Sequence, residues 1–139
     1  MNKAIQFPTP PWDMDMAAER LKFEEEAWNT RDPERISEGY ADNIEMRDGA
    51  AFVNDKNQLK SFLVQKLAHQ SDLRLKLDLW GALKARMAVR FEAEWRDQSG
   101  QWFHAYGVQV LQFNESGQIE RRFASQEVIT VTTNERKLP

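Results

Sequence analysis

Between Leu83 and Trp95 every second residue is apolar, running through Ala85, Met87, Val89, Phe91 and Ala93. Most of the residues between them are charged, among them Arg86, Arg90, Glu92 and Glu94. A period of two sustained over that length describes a strand with one face buried and the other in water. One clean apolar face needs one cover, which is at odds with a parallel sheet buried on both sides. Leu73, Leu75, Leu77 and Leu79 alternate in the same way just before it. Asp97-Gln-Ser-Gly100 and Asn114-Glu-Ser-Gly117 are hairpin turn signals. A long strand from Trp102 to Phe113 is therefore expected between them, and another from Gln118 to about Val131 after them. The C-terminal half reads as a meander of antiparallel strands.

The cover must come from the N-terminal half, where the period is helical. From about Asp13 to Asn29, Met14, Ala17, Ala18, Leu21, Glu25 and Trp28 share one stripe. Glu25 is expected near its centre, with Glu24 on the flank. A carboxylate in that place must be paired, protonated or wet. Adjacent Arg121 and Arg122 on a strand point to opposite faces, so one of them could meet Glu25 or an anionic ligand group. Asp32-Pro33 is an N-cap followed by proline at the first helical position. It opens a short helix carrying Ile36 and Tyr40 inward and ending near Ala41. Ile44 to Asp48 reads as a short strand ended by Gly49. Asp55 to Gln58 then has the spacing of a capping box, and the helix behind it carries Leu59, Phe62, Leu63 and Leu67 at core spacing. Helices first and a strand meander last is the α+β order, with three helices on a curved, mainly antiparallel sheet.

The chain has 139 residues, enough for one ordinary domain with its own core. Residues 1–12, with Pro8, Pro10 and Pro11, read as an extended arm, 13–131 as the domain and 132–139 as a charged, frayed tail. A formal net charge of -3 excludes the concentrated basic surface that general nucleic-acid binding uses. Without cysteine there is no disulfide scaffold, thiolate metal site or cysteine nucleophile. With only His69 and His104 a multi-histidine metal site is not expected, and no Gly-rich phosphate loop is present. The opening residues have no apolar signal core and no stretch has membrane-spanning length. The expectation is a soluble, cytoplasmic protein without metal, cofactor, nucleic-acid or membrane partner.

Three segments, AWNTRDPERI from Ala27, YAD from Tyr40 and LWGALKARMAVRFEAEWRDQSGQWFHAYG from Leu79, together resemble a SnoaL-like branch of unknown function in the nuclear transport factor 2-like superfamily. The resemblance spans residues 17 to 128 and implies a cone: a curved sheet wrapped around helices, enclosing a blind apolar pocket. It also implies roles taken from the superfamily's ketosteroid isomerases. Their base at the end of the first strand falls on Asp48, and their oxyanion donor on the third long strand falls on Gln109. Their helix tyrosine falls on Glu24, which when ionised cannot donate.

Each candidate has a plainer alternative. Asp48 could cap its own turn before Gly49, Gln109 could be a satisfied core amide, and Glu25 could be a structural ion-pair partner. As catalytic groups, Asp48 is the base, with its pKa raised by desolvation, Gln109 the donor and Glu25 a second acid. Trp28, Phe62, Val89, Phe91, Leu111 and Arg122 are the expected ligand-binding surround. His104, with Trp102, Tyr106, Val108 and Val110, falls on the opposite sheet face, where the apolar area suggests a homodimer interface. His69 ends its helix, a favourable place for histidine. Two functions fit: acid–base conversion of a small apolar molecule, by isomerisation, dehydration, cyclisation or epoxide opening, or a non-catalytic ligand- or protein-binding module on the same fold.

Overall fold

The computed structural model describes residues 6–139; the first five residues of the expected N-terminal arm lie outside the described residues. Helix α1 spans Met14–Thr30 and α2 spans Pro33–Ser37. Strands β1 (Tyr40–Asp48) and β2 (Ala51–Val53) precede helix α3 (Lys56–His69). Strands β3 (Ser71–Leu83), β4 (Arg86–Arg96), β5 (Trp102–Phe113) and β6 (Ile119–Val131) complete the chain with a single 3-10 turn at Thr133–Glu135. All six strands form one sheet in the order β2-β1-β6-β5-β4-β3. Only β1 and β6 run parallel; the other pairs are antiparallel. The fold is α+β, a mixed sheet with the helices on its inner face.

The helix starts follow local chemistry. Asp13 accepts from Met16 N–H at 2.8 Å and Asp32 from Glu34 N–H at 3.0 Å. At α3, Asp55 accepts from Gln58 N–H at 2.8 Å while the Gln58 side chain accepts from Asn54 N–H at 2.9 Å. Helix α2 is shorter than its sequence suggests. It stops at Ser37, and β1 begins at Tyr40, four residues before the expected strand start at Ile44. The Ile36 carbonyl then accepts from Gly39 N–H instead of continuing a helix.

The alternation beginning at Leu83 is two strands, not one. Lys84, with φ of 56°, makes the turn, so Leu83 ends β3 and faces outward, 74% exposed. A bulge between Leu79 and Gly81 had already changed the side presented by β3. Beyond the turn the alternation holds: Met87, Val89, Phe91, Ala93 and Trp95 are all buried. Inward residues of β4 pair with inward residues of β5, as Val89 with Gln109 and Phe91 with Gly107. The core lies between this face and the helices, around Leu21, Ile36, Ile44, Leu59 and Leu63. Burying such side chains contributes about 1.5–3 kcal/mol each.

The segment before α1 and the C-terminal tail are both anchored. Trp12 donates its backbone N–H to Lys84 O at 2.9 Å and packs edge-on against Phe113. The C-terminal tail is not frayed. Glu94 accepts the N–H groups of Lys137 and Leu138, each at 2.8 Å, and Arg136 lies over Trp102.

Candidate functional site

Asp48 is the last residue of β1, and the parallel register sets it beside Ala124 of β6, itself opposite Gln109 of β5. A small alanine between two polar side chains leaves room above it. Arg122, two residues earlier on the same face of β6, fills that room. Its Nη1 donates to Asp48 Oδ2 at 2.9 Å and its Nε to Gln109 Oε1 at 2.8 Å. Nη1 also lies 3.4 Å from Met46 Sδ, and the guanidinium carbon sits 5.8 Å from the Trp28 ring centre. Because Gln109 Oε1 is occupied by Arg122, its amide nitrogen is the end left to donate elsewhere.

Asp48, Gln109, Arg122 and Trp28 line a cavity of about 30 Å³ between α1, α3 and the sheet. That volume admits one or two waters, or the head of a small molecule. Its walls are apolar: Trp28, Phe91 and Trp95, with Leu73, Leu75 and Leu77 of β3. Phe91 can lie there because its register partner is Gly107, where a side chain would collide with the ring. Lys66 and Gln70, from the end of α3, complete the lining. Gln70 Oε1 is buried without a hydrogen-bond partner among the described residues.

Electrostatics here run against the simple expectation for an apolar pocket. Burial pushes the Asp48 carboxyl up, but the charges of Arg122 and Lys66 and the Arg122 hydrogen bond outweigh it. The carboxyl is held below the usual range and stays ionised. Burial lowers the pKa of Lys66, only partly offset by attraction to Asp48, while Arg122 adds repulsion. Lys66 is thereby a stronger acid than an exposed lysine.

The cavity brings together Asp48, Gln109, Arg122, Trp28 and Phe91 from the sequence-derived set. Glu25 is elsewhere. It is half-buried and accepts the Leu77 N–H at 2.8 Å, while Asn29 exchanges hydrogen bonds with Leu75 at 2.8 and 2.9 Å. Strand β3 is a sheet edge, and these side chains satisfy its free backbone groups. The buried carboxylate of α1 is Glu24, which accepts from Tyr40 OH at 2.6 Å and Trp28 Nε1 at 3.0 Å. Arg20, on the same buried face, stands 3.8 Å from it. Val89 and Leu111 are sealed in the core, and Phe62 packs against that core outside the cavity lining. Arg122 takes the inward position, and Arg121 faces outward, 3.5 Å from Glu45.

The sequence did not single out Lys66, yet it lies four residues after Phe62 and seven after Leu59, a cation at core spacing. His104 faces outward as expected but is buried, with Glu94 at 2.6 Å and Glu92 at 2.9 Å, beneath the C-terminal tail. His69 Nδ1 lies 2.8 Å from Gln65 O, at its own helix end. Among the described residues no group of His, Asp and Glu is arranged to hold a metal ion.

Residues 10–139 match the family described as "Protein of unknown function (DUF1348)". The chain belongs to the DUF1348 family. No curated protein matches it. Solved structures show how the DUF1348 chain is built. SalBIII, described as an epoxide hydrolase/cyclase-like enzyme in pyran ring formation in the polyether salinomycin, superposes with a TM-score of 0.75 at 16% identity, over 86% of this chain and 98% of that one. An NTF2-like protein of unknown function from an Exiguobacterium species gives 0.69 at 15% identity, over 78% and 98%. The pinacolase BvnE from Penicillium brevicompactum gives 0.67 at 16% identity, over 78% and 83%. At these identities the likeness establishes the NTF2-like cone fold of this DUF1348 chain and nothing about its chemistry.

Proposed function

We propose that this DUF1348 protein binds a small, largely apolar molecule in the inner cavity and converts it by acid–base chemistry, opening or closing a ring or shifting a proton. The observation that carries the reading is an ionised carboxylate, Asp48, aimed with Lys66 and Gln109 into one apolar cavity. In ring opening, Asp48 would take the proton of a water or substrate hydroxyl as its oxygen attacks the ring carbon. The carbon–oxygen bond then breaks, and the Lys66 ammonium gives a proton to the departing oxygen. Gln109 donates a hydrogen bond to the charge developing there. The role first expected of Glu25 passes to Lys66. Both SalBIII and BvnE, by their descriptions, are enzymes on this cone, which supports catalysis within it.

A panel of small alicyclic epoxides and β,γ-unsaturated ketones tests the reading. At least one is expected to turn over, and Asp48→Asn should lower kcat at least about a hundredfold while the variant stays folded by circular dichroism. Survival of activity in that variant would reduce Asp48 to a structural partner of Arg122. The small cavity favours the second reading, a non-catalytic binding module; saturable binding without turnover across the panel would select it.

The outer sheet face supports a homodimer. Val108, Val110 and Phe123 are 61%, 52% and 41% exposed, with Phe52 beside them. The tail partly covers Trp102 and Tyr106, so the candidate interface shifts toward these four residues. Arg121 and Glu45 at its edge supply both signs of charge, which lets a two-fold contact set unlike charges against each other. Light scattering at micromolar concentration should give twice the chain mass, and Phe123→Asp the chain mass. A monomeric wild type would end this part of the proposal. No described helix is long and apolar enough to cross a membrane; cytoplasmic residence belongs to the same reading.

A further inference from the structure

We infer that the molecule taken by the inner cavity is a small monoanion, a carboxylate on a compact apolar body. This deepens the reading above and rests on the cavity being a ligand site. The ionisable side chains lining it are Asp48, Lys66 and Arg122, two cations against one anion. Arg122 is satisfied on one side, with Nε on Gln109 and Nη1 on Asp48. Its Nη2 and the Lys66 ammonium have no hydrogen-bond partner among the described residues, and Lys66 forms no ion pair with Asp48.

Lys66 is half-buried rather than sealed, so a ligand can reach its ammonium. An unmatched positive charge at the edge of an apolar cavity favours a negative group that meets it. The protein matches only one of the two cations, so the second is available to a ligand. Lys66 Nζ, Arg122 Nη2 and Gln109 Nε2 supply donors and no acceptor, the pattern that suits a carboxylate. The walls of Trp28, Phe91, Trp95 and the β3 leucines suit an uncharged hydrocarbon body. Gln70 Oε1, buried and unpartnered, is available to a donor on the same molecule. The cavity of about 30 Å³ limits the head to a few heavy atoms.

Isobutyrate and its neutral isostere isobutyramide test the inference, titrated into ¹⁵N-labelled protein at constant ionic strength. Isobutyrate is expected to bind with Kd on the order of 1 mM, a normal affinity for so few atoms. Isobutyramide should bind at least about tenfold more weakly. Lys66→Met, checked for folding by its amide spectrum, should lose about tenfold or more in isobutyrate affinity, and Lys66→Arg should stay within about threefold. Asp48→Asn removes the carboxylate that repels the ligand and should tighten isobutyrate binding a few-fold, although the same variant is expected to lower kcat at least about a hundredfold. Equal binding of amide and acid, or an unchanged affinity in Lys66→Met, would overturn the inference. Turnover of a neutral epoxide with no isobutyrate binding also overturns it and leaves the acid–base reading standing. Isobutyrate binding with no turnover of any panel member or of its carboxylate-bearing analogue, an epoxide or unsaturated ketone that carries a carboxylate, supports the inference and removes the acid–base reading.

Discussion

Arg20→Met is expected to lower the unfolding free energy by about 3–5 kcal/mol, the cost of leaving a buried charge without its partner. For a chain of this size that is a fall in Tm of about 10–20 °C. Arg20 is completely buried on α1. Its Nε donates to Gly117 O at 2.6 Å and its Nη2 to Gly39 O at 2.9 Å, and Nη1 faces Glu24 at 3.8 Å. The guanidinium is further enclosed by the rings of Phe7 and Phe113, at 4.3 and 5.1 Å. Methionine fills most of the volume but supplies no donor. The Gly39 carbonyl keeps Ile119 N–H at 2.8 Å, so its loss is partial. The Glu24 carboxylate keeps Tyr40 and Trp28 as donors but loses its cation. That cation accounts for most of the expected cost. Urea unfolding at neutral pH measures it, and a loss below about 1 kcal/mol would show that charge does not hold the pair. Arg20→Met with Glu24→Gln should recover a large part of the loss, because glutamine still accepts from Tyr40 and Trp28 without bringing a charge.

Why the sequence pointed to Glu25 rather than Glu24 is a matter of angle. At 100° per residue the two carboxylates point about 100° apart, and the midline of a stripe drawn through Leu21 and Trp28 lies about 50° from each, so the stripe alone does not choose between them. Tyr40 and Arg20 decide between them, and Tyr40 belongs to a strand whose start the sequence placed too late. Asp48, Gln109 and Arg122 were easier. Asp48 and Gln109 came with the family resemblance, and period two turned one of Arg121 and Arg122 inward without saying which. The β1–β6 and β5–β6 registers, which bring Asp48 and Gln109 together at Ala124, select Arg122 for the inner face. Val89 and Leu111 share that face, yet the sequence cannot say how deep in the cone each one sits. Lys66 could have been found from its spacing to Leu59 and Phe62. The docked tail could not, because its anchor is a carboxylate of β4 accepting backbone N–H groups, which no side-chain pattern in the tail records.

Arg122→Met should show that the positive charge at the base of the cavity sets the state of Asp48. The guanidinium is buried, and although burial disfavours its charge, its interactions with Tyr40, Asp48 and Glu24 prevail and raise its pKa. Removing it leaves Asp48, with its side chain only 16% exposed, facing methionine. The expected loss at neutral pH is about 3 kcal/mol, the lower end of the range for breaking a buried pair, because Lys66 still offers some attraction. The part of the pH dependence that Asp48 contributes should change sign, while the other lowered carboxyls, Glu92 and Glu94 among them, keep theirs. In the wild type the Asp48 carboxyl is held below its unfolded value of 3.8. Its stabilising contribution is therefore present above that value and disappears as pH falls through the lower, folded one. In Arg122→Met burial is opposed only by Lys66, the folded pKa of Asp48 rises above the unfolded one, and acidification toward that range relieves the cost of its charge. The variant should therefore lose less stability between about pH 7 and pH 3 than the wild type. Unfolding curves between pH 3 and pH 7, about the span over which a carboxyl titrates, separate the two slopes. Arg122→Met with Asp48→Leu replaces the pair with apolar side chains and should regain most of the stability, since such exchanges are often neutral. An unchanged acid slope in Arg122→Met would mean that Lys66 alone keeps Asp48 ionised.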